Sequence, residues 1–171
     1  MKVRVLKRIQ IVPRRLEEAY EIFSNPHALE TLTPSAMHFR LLDEKLDTIT
    51  PGTVLNYRFY LYRLPMRWQV RIDSADAPNS FCDVQQKGPF AHWKHTQTFV
   101  YCGPESTEVR DRFEFALRFG RLGEFAYRTF LKGALRQIID YRSNKIDLYM
   151  HSNPPKPAKV TAQPAPRLPY A

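Results

Sequence analysis

The strict alternation of side chains in two neighbouring segments, residues 91–101 and 106–119, constrains the fold of this chain most. Their odd-numbered positions share large apolar or aromatic side chains with three polar groups among them: Trp93, His95, Gln97, Phe99, Val109, Asp111, Phe113, Phe115 and Leu117. Successive side chains of a strand point to opposite faces, so a period of two predicts strands with one buried face. Cys102-Gly103-Pro104 between the segments predicts a turn and an antiparallel pair.

Shorter alternating runs precede this pair at 37–47, 53–63, 66–75 and 80–87. Turn-forming residues separate all these runs: Thr50-Pro51-Gly52, Leu64-Pro65, Ala77-Pro78-Asn79 and Gly88-Pro89. Short connections between consecutive strands predict an antiparallel meander. Residues 2–12 also alternate and complete a sheet of seven strands. We expect the apolar face of this first strand to be its buried one: Val3, Val5, Ile9 and Ile11.

Helical spacing follows the first strand and returns near the C-terminus. Pro13 opens a helix that ends at Ser24, and Asn25 caps a second short helix that ends near Leu32. Residues 121–149 predict a long helix with two apolar stripes, so that most of it is buried. The predicted fold class is α+β, with the element order β-α-α-β6-α. A curved, seven-stranded antiparallel sheet wraps around the long C-terminal helix, with an internal cavity between them.

Composition adds limits on domain organisation and location. The 171 residues predict one domain over residues 1–150 and a flexible tail over 151–171, which holds six of the 14 prolines. The net charge of +9 favours a solvated basic surface, because the lysines and arginines alternate with glutamates along the strands and do not form one basic run. The N-terminus lacks the apolar core of a secretory signal, and Cys82 and Cys102 form no disulfide pattern. We therefore expect a soluble, cytoplasmic protein.

Several short motifs, taken in this order along the chain, resemble those of one superfamily. They are Pro13-Arg14-Arg15-Leu16-Glu17-Glu18 with Phe23-Ser24-Asn25-Pro26, Leu64-Pro65-Met66-Arg67-Trp68, Gly88-Pro89-Phe90 with Trp93-Lys94-His95-Thr96, Asp111-Arg112-Phe113, and Phe119-Gly120-Arg121-Leu122-Gly123. The chain resembles the START-like, or SRPBCC (helix-grip), superfamily over residues 1–149, and within it the small bacterial polyketide cyclase/dehydrase-like ligand-binding proteins. The resemblance implies a helix-grip fold with a ligand cavity. It does not imply one reaction, because the superfamily contains carriers, sensors and enzymes.

Strand parity predicts a polar row across the cavity, formed by Asp83, His95 and Asp111. A three-residue turn before Glu105 would put His95 opposite Asp111, and the preceding hairpin would bring Asp83 beside His95. These three are the candidate catalytic residues, although an ion pair that only fixes the strand register explains the row as well. The predicted ligand-binding residues are Tyr57, Phe59, Trp68, Val70, Gln85, Trp93, His95, Gln97, Asp111, Phe113 and Phe130.

No metal or cofactor is expected. His92 and His95 have a spacing that resembles a metal motif, but on a strand they face opposite sides of the sheet. Gly120-Arg121-Leu122-Gly123 lacks the lysine and hydroxyl residues of a phosphate-binding loop. The interleaved tyrosines and arginines near Tyr57 alternate between faces, so we expect no nucleic-acid partner.

Three hypotheses about function follow. The first is a carrier or sensor that binds a small hydrophobic molecule, such as a lipid, an isoprenoid or a polyketide-like aromatic. The second is a metal-free cyclase, dehydratase or hydratase that uses His95 as acid or base, oriented by Asp111 or Asp83. The third is an interaction protein whose basic surface and proline-rich tail dock a partner or an anionic membrane. A homodimer through one stripe of the C-terminal helix also stays open.

Overall fold

The computed structural model describes residues 2–43, 45–61, 63–118, 120, 123, 125 and 127–152, with the backbone alone at positions 29, 130 and 151. The strands in this part of the chain are β1 (Arg4–Val12), β2 (Arg40–Leu41), β3 (Val54–Leu61), β4 (Leu64–Asp76), β5 (Ser80–Lys87), β6 (His92–Gly103) and β7 (Ser106–Ala116). They form one antiparallel sheet in the order β1-β7-β6-β5-β4-β3-β2. Strands β2 to β7 are therefore a meander, as predicted, and β1 extends the sheet beside β7.

The helices are α1 (Leu16–Ser24), α2 (Ala28–Leu32) and α3 (Lys132–Ser152), and a π-helical turn at Tyr127–Leu131 leads into α3. A 3₁₀ turn at Ser35–Met37 was not predicted and shortens the second strand to two residues. The Asn25 carboxamide oxygen accepts the N–H of His27 at 2.9 Å, but α2 begins at Ala28 and its capping position is His27, not Asn25 as predicted. The predicted fold class is confirmed; the proline-rich tail beyond Ser152 and parts of the 119–126 segment lie outside the described residues.

The predicted orientation of β1 is wrong. Ile9 and Ile11 are 62% and 61% exposed, and Val3 and Val5 are exposed as well. The opposite face meets the C-terminal helix, where Gln10 donates to the Ser143 carbonyl at 3.1 Å and to the Asp147 carboxylate at 2.7 Å. The long polar side chains of this face reach over the edge of α3, so the buried side of the strand is also its more polar side.

The predicted register of β6 and β7 is wrong by two residues, but the predicted faces are correct. His95 pairs with Phe113, and Gln97 pairs with Asp111. The ladder continues to Gly103 and Ser106, so the connecting turn is tighter than the one predicted from Tyr101. A shift of two residues keeps every side chain on its face. The odd-numbered side chains of both strands therefore point to the helix side.

One end of the space between sheet and helices holds a cluster of buried side chains, and we call it the packed end. Its core consists of Val12, Ala19, Tyr20, Leu32, Phe81, Phe99, Val109, Ile146 and Met150. Arg14, only 3% exposed, donates to the carbonyl of Met150 at 3.0 Å and so ties the start of α1 to the end of α3. Thr107 donates its hydroxyl to the Arg14 carbonyl at 2.8 Å, which attaches this tie to the sheet.

Candidate functional site

A cavity of about 280 Å³ lies between the sheet and the N-terminal half of α3, and we call this region the hollow end. Aromatic and aliphatic side chains from β3 to β7, from the β5–β6 loop and from α3 form most of its wall. Four polar side chains that reach this wall from the sheet and from α3 are those of Asp83, His95, Gln97 and Arg142. An apolar hollow with few polar groups is the usual form of a small-molecule site.

Most of the predicted ligand-binding residues lie on this wall. They are Tyr57, Phe59, Trp68, Val70, Trp93, His95, Gln97 and Phe113. Gln85 and Asp111 are not among the described lining residues, and the side chain of Phe130 lies outside the described part of the chain. The positions of the eight are thus established by geometry, while their role in binding stays a prediction.

His95 lies at the centre of a charged cluster. Its Nδ1 lies 3.0 Å from the Asp83 carboxylate and its Nε2 lies 2.8 Å from Oδ1 of Asp111. The ring also stacks on Phe113, with 4.3 Å between centroids and 8° between planes. The predicted polar row therefore exists. Asp111 reaches His95 diagonally, because the two residues are not directly opposite in the ladder.

The two carboxylates determine the protonation of His95. Burial alone would lower the pKa of this imidazole, but the hydrogen bonds and charges of Asp111 and Asp83 outweigh it and raise the pKa from 6.5 to about 9. The ring is therefore an imidazolium at neutral pH, and both of its N–H groups donate to carboxylates. Neither nitrogen has a lone pair to accept a proton from a substrate, so the arrangement is unsuited to general-base catalysis near pH 7.

Asp111 acts from behind the cavity wall. Burial would raise the pKa of its carboxyl group, but His95 and Gln97 hold the net pKa below its ordinary value. Gln97 donates its Nε2–H to Oδ1 of Asp111 at 2.7 Å, on the same oxygen that His95 contacts. Asp111 therefore orients the two polar side chains that reach the cavity from β6.

Arg142 is a candidate functional residue that the sequence analysis missed. It projects from α3 onto the cavity wall, on the same face as Leu131, Leu135 and Ile138. Burial lowers the pKa of its guanidinium, and the nearby Asp111, Asp83 and Tyr57 oppose that shift. The helical spacing from Leu135 and Ile138 was the available signal, because positions seven and four residues apart share a helix face.

Two further polar atoms on the wall have no partner among the described residues, the Tyr57 hydroxyl oxygen and the Trp68 indole nitrogen. Burial is the main reason that the pKa of the Tyr57 hydroxyl is raised. A buried donor without a partner costs roughly 1–3 kcal/mol. Neighbouring protein atoms enclose both atoms, so a molecule in the cavity reaches them only if the wall adjusts.

Gln85 holds the loop that covers one side of the cavity. Its Nε2–H donates to the carbonyl of Phe90 at 2.9 Å, and its Oε1 accepts the N–H of the same residue at 3.4 Å. Gly88 in this loop approaches Trp68 so closely that a Cβ would lie 2.6 Å from the Cδ1 atom of the indole. In the structure the Gln85 amide therefore positions the Phe90 backbone, while its predicted role in ligand contact stays a prediction.

Within the described residues, no group of three or more histidine, cysteine or acidic side chains could hold a metal ion. No described helix is long and apolar enough to cross a membrane. Cys82 and Cys102 are both free thiols.

No protein-family model and no curated protein matches this sequence significantly. Solved structures do match its fold. The Zhui aromatase/cyclase from Streptomyces sp. R1128 superposes with a TM-score of 0.69 at 12% identity, over 88% of this chain and 94% of that one. A protein from Thermus thermophilus gives 0.66 at 14% identity, over 87% and 98%. Norcoclaurine synthase from Thalictrum flavum, in complex with dopamine and hydroxybenzaldehyde, gives 0.62 at 15%, over 90% of each chain.

The chain therefore has the START-like, helix-grip fold: a curved antiparallel sheet that grips a C-terminal helix. The Zhui aromatase/cyclase, norcoclaurine synthase, Ara h 8.0201 and the ginseng major latex-like protein 151 share it. Because these neighbours are only 10–15% identical to this chain, they show the fold, and the function has to be argued from the site.

Proposed function

We propose that this protein binds a small hydrophobic molecule in the cavity at the hollow end, as a carrier or sensor. The observation that supports this most is the contrast between the apolar hollow under the first half of α3 and the filled core under its second half. A domain that packs one end to completion has no stability reason to leave about 280 Å³ empty at the other.

The size and wall of the cavity favour a compact ring-containing ligand. Its volume is near the lower end of the range for small-molecule pockets, which begins at roughly 300 Å³. Trp68 and Trp93 meet edge to face with 4.9 Å between ring centroids, and Phe90 packs against both. Flat aromatic walls accept a flat ring without leaving voids. Isoprenoid and polyketide-like aromatic compounds fit this description better than a large lipid.

Binding without catalysis is favoured by the state of His95. Both ring nitrogens already donate to carboxylates, and the raised pKa of about 9 keeps the ring protonated. A general base would need a free lone pair at neutral pH. The same cluster serves a binding protein well, because it holds three strands in register and gives the cavity one polar wall.

The two tryptophans supply a direct test, because they are the only ones in the sequence and both line the cavity. We expect the fluorescent naphthalene ketone prodan to quench their emission by energy transfer, with saturation at one equivalent. Compounds that enter the cavity should displace prodan and restore the emission. Native mass spectrometry of the freshly purified protein would show whether a molecule is already bound.

A pair of matched variants separates cavity binding from surface adsorption. Val70→Phe adds a ring at the cavity wall, whereas Val84→Phe adds the same ring on the neighbouring strand at a position that does not line the cavity. We expect the first to weaken prodan binding at least about tenfold and the second to leave it unchanged. The proposed function is wrong if no isoprenoid or polyketide-like aromatic compound binds the wild-type protein. It is also wrong if the two variants bind prodan with the same affinity.

A further inference from the structure

We propose that the ligand is electrically neutral and carries an oxygen acceptor, such as a ketone or ester carbonyl, which Arg142 binds at the polar side of the cavity. The inference rests on the proposed function, and it adds the chemical class of the ligand. It depends on three observations: the absence of a hydrogen-bond or ion-pair partner for Arg142 among the described residues, the presence of Tyr57 on the same cavity wall, and the balance of charges in the site.

Arg142 has hydrogen-bonding capacity that the described residues do not use. Its guanidinium makes no hydrogen bond or ion pair with any of them, although it lies on the cavity wall. A guanidinium carries five N–H donors, and a buried one is normally paired. Its nitrogens are not enclosed by protein atoms as the Tyr57 oxygen and the Trp68 nitrogen are. A molecule in the cavity can therefore reach donors that the fold leaves free.

The Tyr57 hydroxyl lies in the same electrostatic neighbourhood. Tyr57 and Arg142 both line the cavity, and the charge of Arg142 acts to lower the pKa of the Tyr57 hydroxyl against the larger effect of burial. The hydroxyl is buried and has no hydrogen-bond partner among the described residues. Protein atoms enclose this oxygen, so a ligand acceptor reaches Arg142 first and shares the Tyr57 donor only after the wall adjusts.

The charges of the site decide between a neutral ligand and an ionised one. His95 as an imidazolium and Arg142 as a guanidinium balance the carboxylates of Asp83 and Asp111, so the site is neutral before anything binds. A ligand carboxylate would leave one uncompensated negative charge in an apolar cavity, which is costly. A ligand amine would meet the guanidinium. A carbonyl oxygen satisfies the donors and leaves the balance intact.

Three probes with the same ring skeleton test this: tetralin, tetralone, and tetralin carboxylic acid at pH 7. Each would be measured by its displacement of prodan from the wild-type protein. We expect tetralone to bind at least about tenfold more tightly than tetralin, since a hydrogen bond to a charged group contributes roughly 1.5–3 kcal/mol. The carboxylic acid should bind more weakly than tetralone.

Variants then assign the preference to Arg142. In Arg142→Met, which keeps a long side chain without donors, the tetralone-to-tetralin ratio should fall to within about twofold. Tyr57→Phe should lower the ratio by a smaller factor, because the guanidinium remains. Arg136→Met is the matched control, since Arg136 is exposed on the same helix and does not line this cavity. It should keep the wild-type ratio. Arg142→Leu, which also lacks donors, replaces the methionine variant if the latter does not fold.

The outcomes separate this inference from the proposed function. If tetralin and tetralone bind the wild-type protein equally well, the cavity binds hydrophobic molecules but Arg142 does not select an acceptor, and the inference is wrong. Tighter binding of the carboxylic acid than of the ketone would overturn the argument from charge balance. Failure of all three probes and of prodan would instead reject the proposed function itself.

Discussion

The packed end and the hollow end bury the same kind of sheet face in different ways. At the packed end, Tyr20 of α1 meets Phe99 of β6 with 5.4 Å between ring centroids, and Ile146 and Met150 of α3 complete the core. At the hollow end, Trp93 and Phe113 continue the inward faces of β6 and β7, but the residues of α3 above them leave a cavity.

The difference comes from the number of helices above the sheet. Helix α1 contacts β6 and β7 at the packed end, so that two helices share the burial of the strands there. At the hollow end, side chains of α3 and of the turn before it pack against the aromatic cluster of β6 and β7, while α1 reaches the cavity wall only with its last residues, Phe23 and Ser24. A curved sheet whose strands all alternate apolar and polar side chains can therefore have a packed core at one end and a cavity at the other. The boundary between the two lies where α1 ends.

The largest effect that tests this comparison is on stability. Phe99→Ala at the packed end should lower the free energy of unfolding by about 3–5 kcal/mol, because it opens a new void in a filled core. Leu135→Ala at the hollow end should cost about 1 kcal/mol, because Leu135 already borders an empty space and is only partly buried. Urea denaturation followed by circular dichroism measures both. Equal costs would show that the hollow end is as tightly filled as the packed end.

The next effect is a pH dependence that belongs to the hollow end. The pKa of His95 is raised from 6.5 to about 9 in the folded protein, so the native state binds this proton more tightly than the unfolded state. The resulting stability is fully present below about pH 6.5 and is lost as pH rises through about 9. A shift of this size corresponds to roughly 3 kcal/mol.

His95→Gln provides the comparison for that measurement, because it removes the titrating ring and keeps a hydrogen-bonding side chain. We expect the free energy of unfolding of the wild-type protein to fall relative to this variant between pH 6.5 and 9.5. Phe99→Leu, a change at the packed end, should keep the wild-type slope. A wild-type profile parallel to that of His95→Gln would contradict the charged cluster.

Alternation and turn residues predicted the sheet well because both are local signals. The period of two assigned the inward faces of β6 and β7, and a two-residue error in register did no harm since it preserved those faces. Asp83 and His95 were predicted as neighbours, and they pair in the structure. The contact between His95 and Asp111 was also predicted, although from the wrong pairing.

The site was predicted less completely because part of it comes from the helix. The spacing of Arg142 from Leu135 and Ile138 indicates the inward face of the helix. Its charge indicates the opposite face, because charged residues of a helix normally face solvent. Gln85 alternates inward as predicted, yet its amide turns toward the Phe90 backbone. Neither the local loop contact nor the distance between α3 and the sheet can be derived from the strand pattern.

In β1 the alternation of side chains predicted the wrong buried face. Substitutions on its two faces give the smallest effect on the free energy of unfolding that we predict. Ile9 is 62% exposed, whereas Leu6 on the other face of β1 packs against the aromatic cluster of the hollow end. Ile9→Thr should therefore change the free energy of unfolding by less than about 0.5 kcal/mol, as surface substitutions usually do. Leu6→Thr should cost about 2 kcal/mol, because it removes apolar contacts from a partly buried position. The two measurements rank the faces of β1 directly. A larger loss for Ile9→Thr than for Leu6→Thr would restore the buried face that the sequence pattern suggested, and would mean that something covers this edge of the sheet in solution.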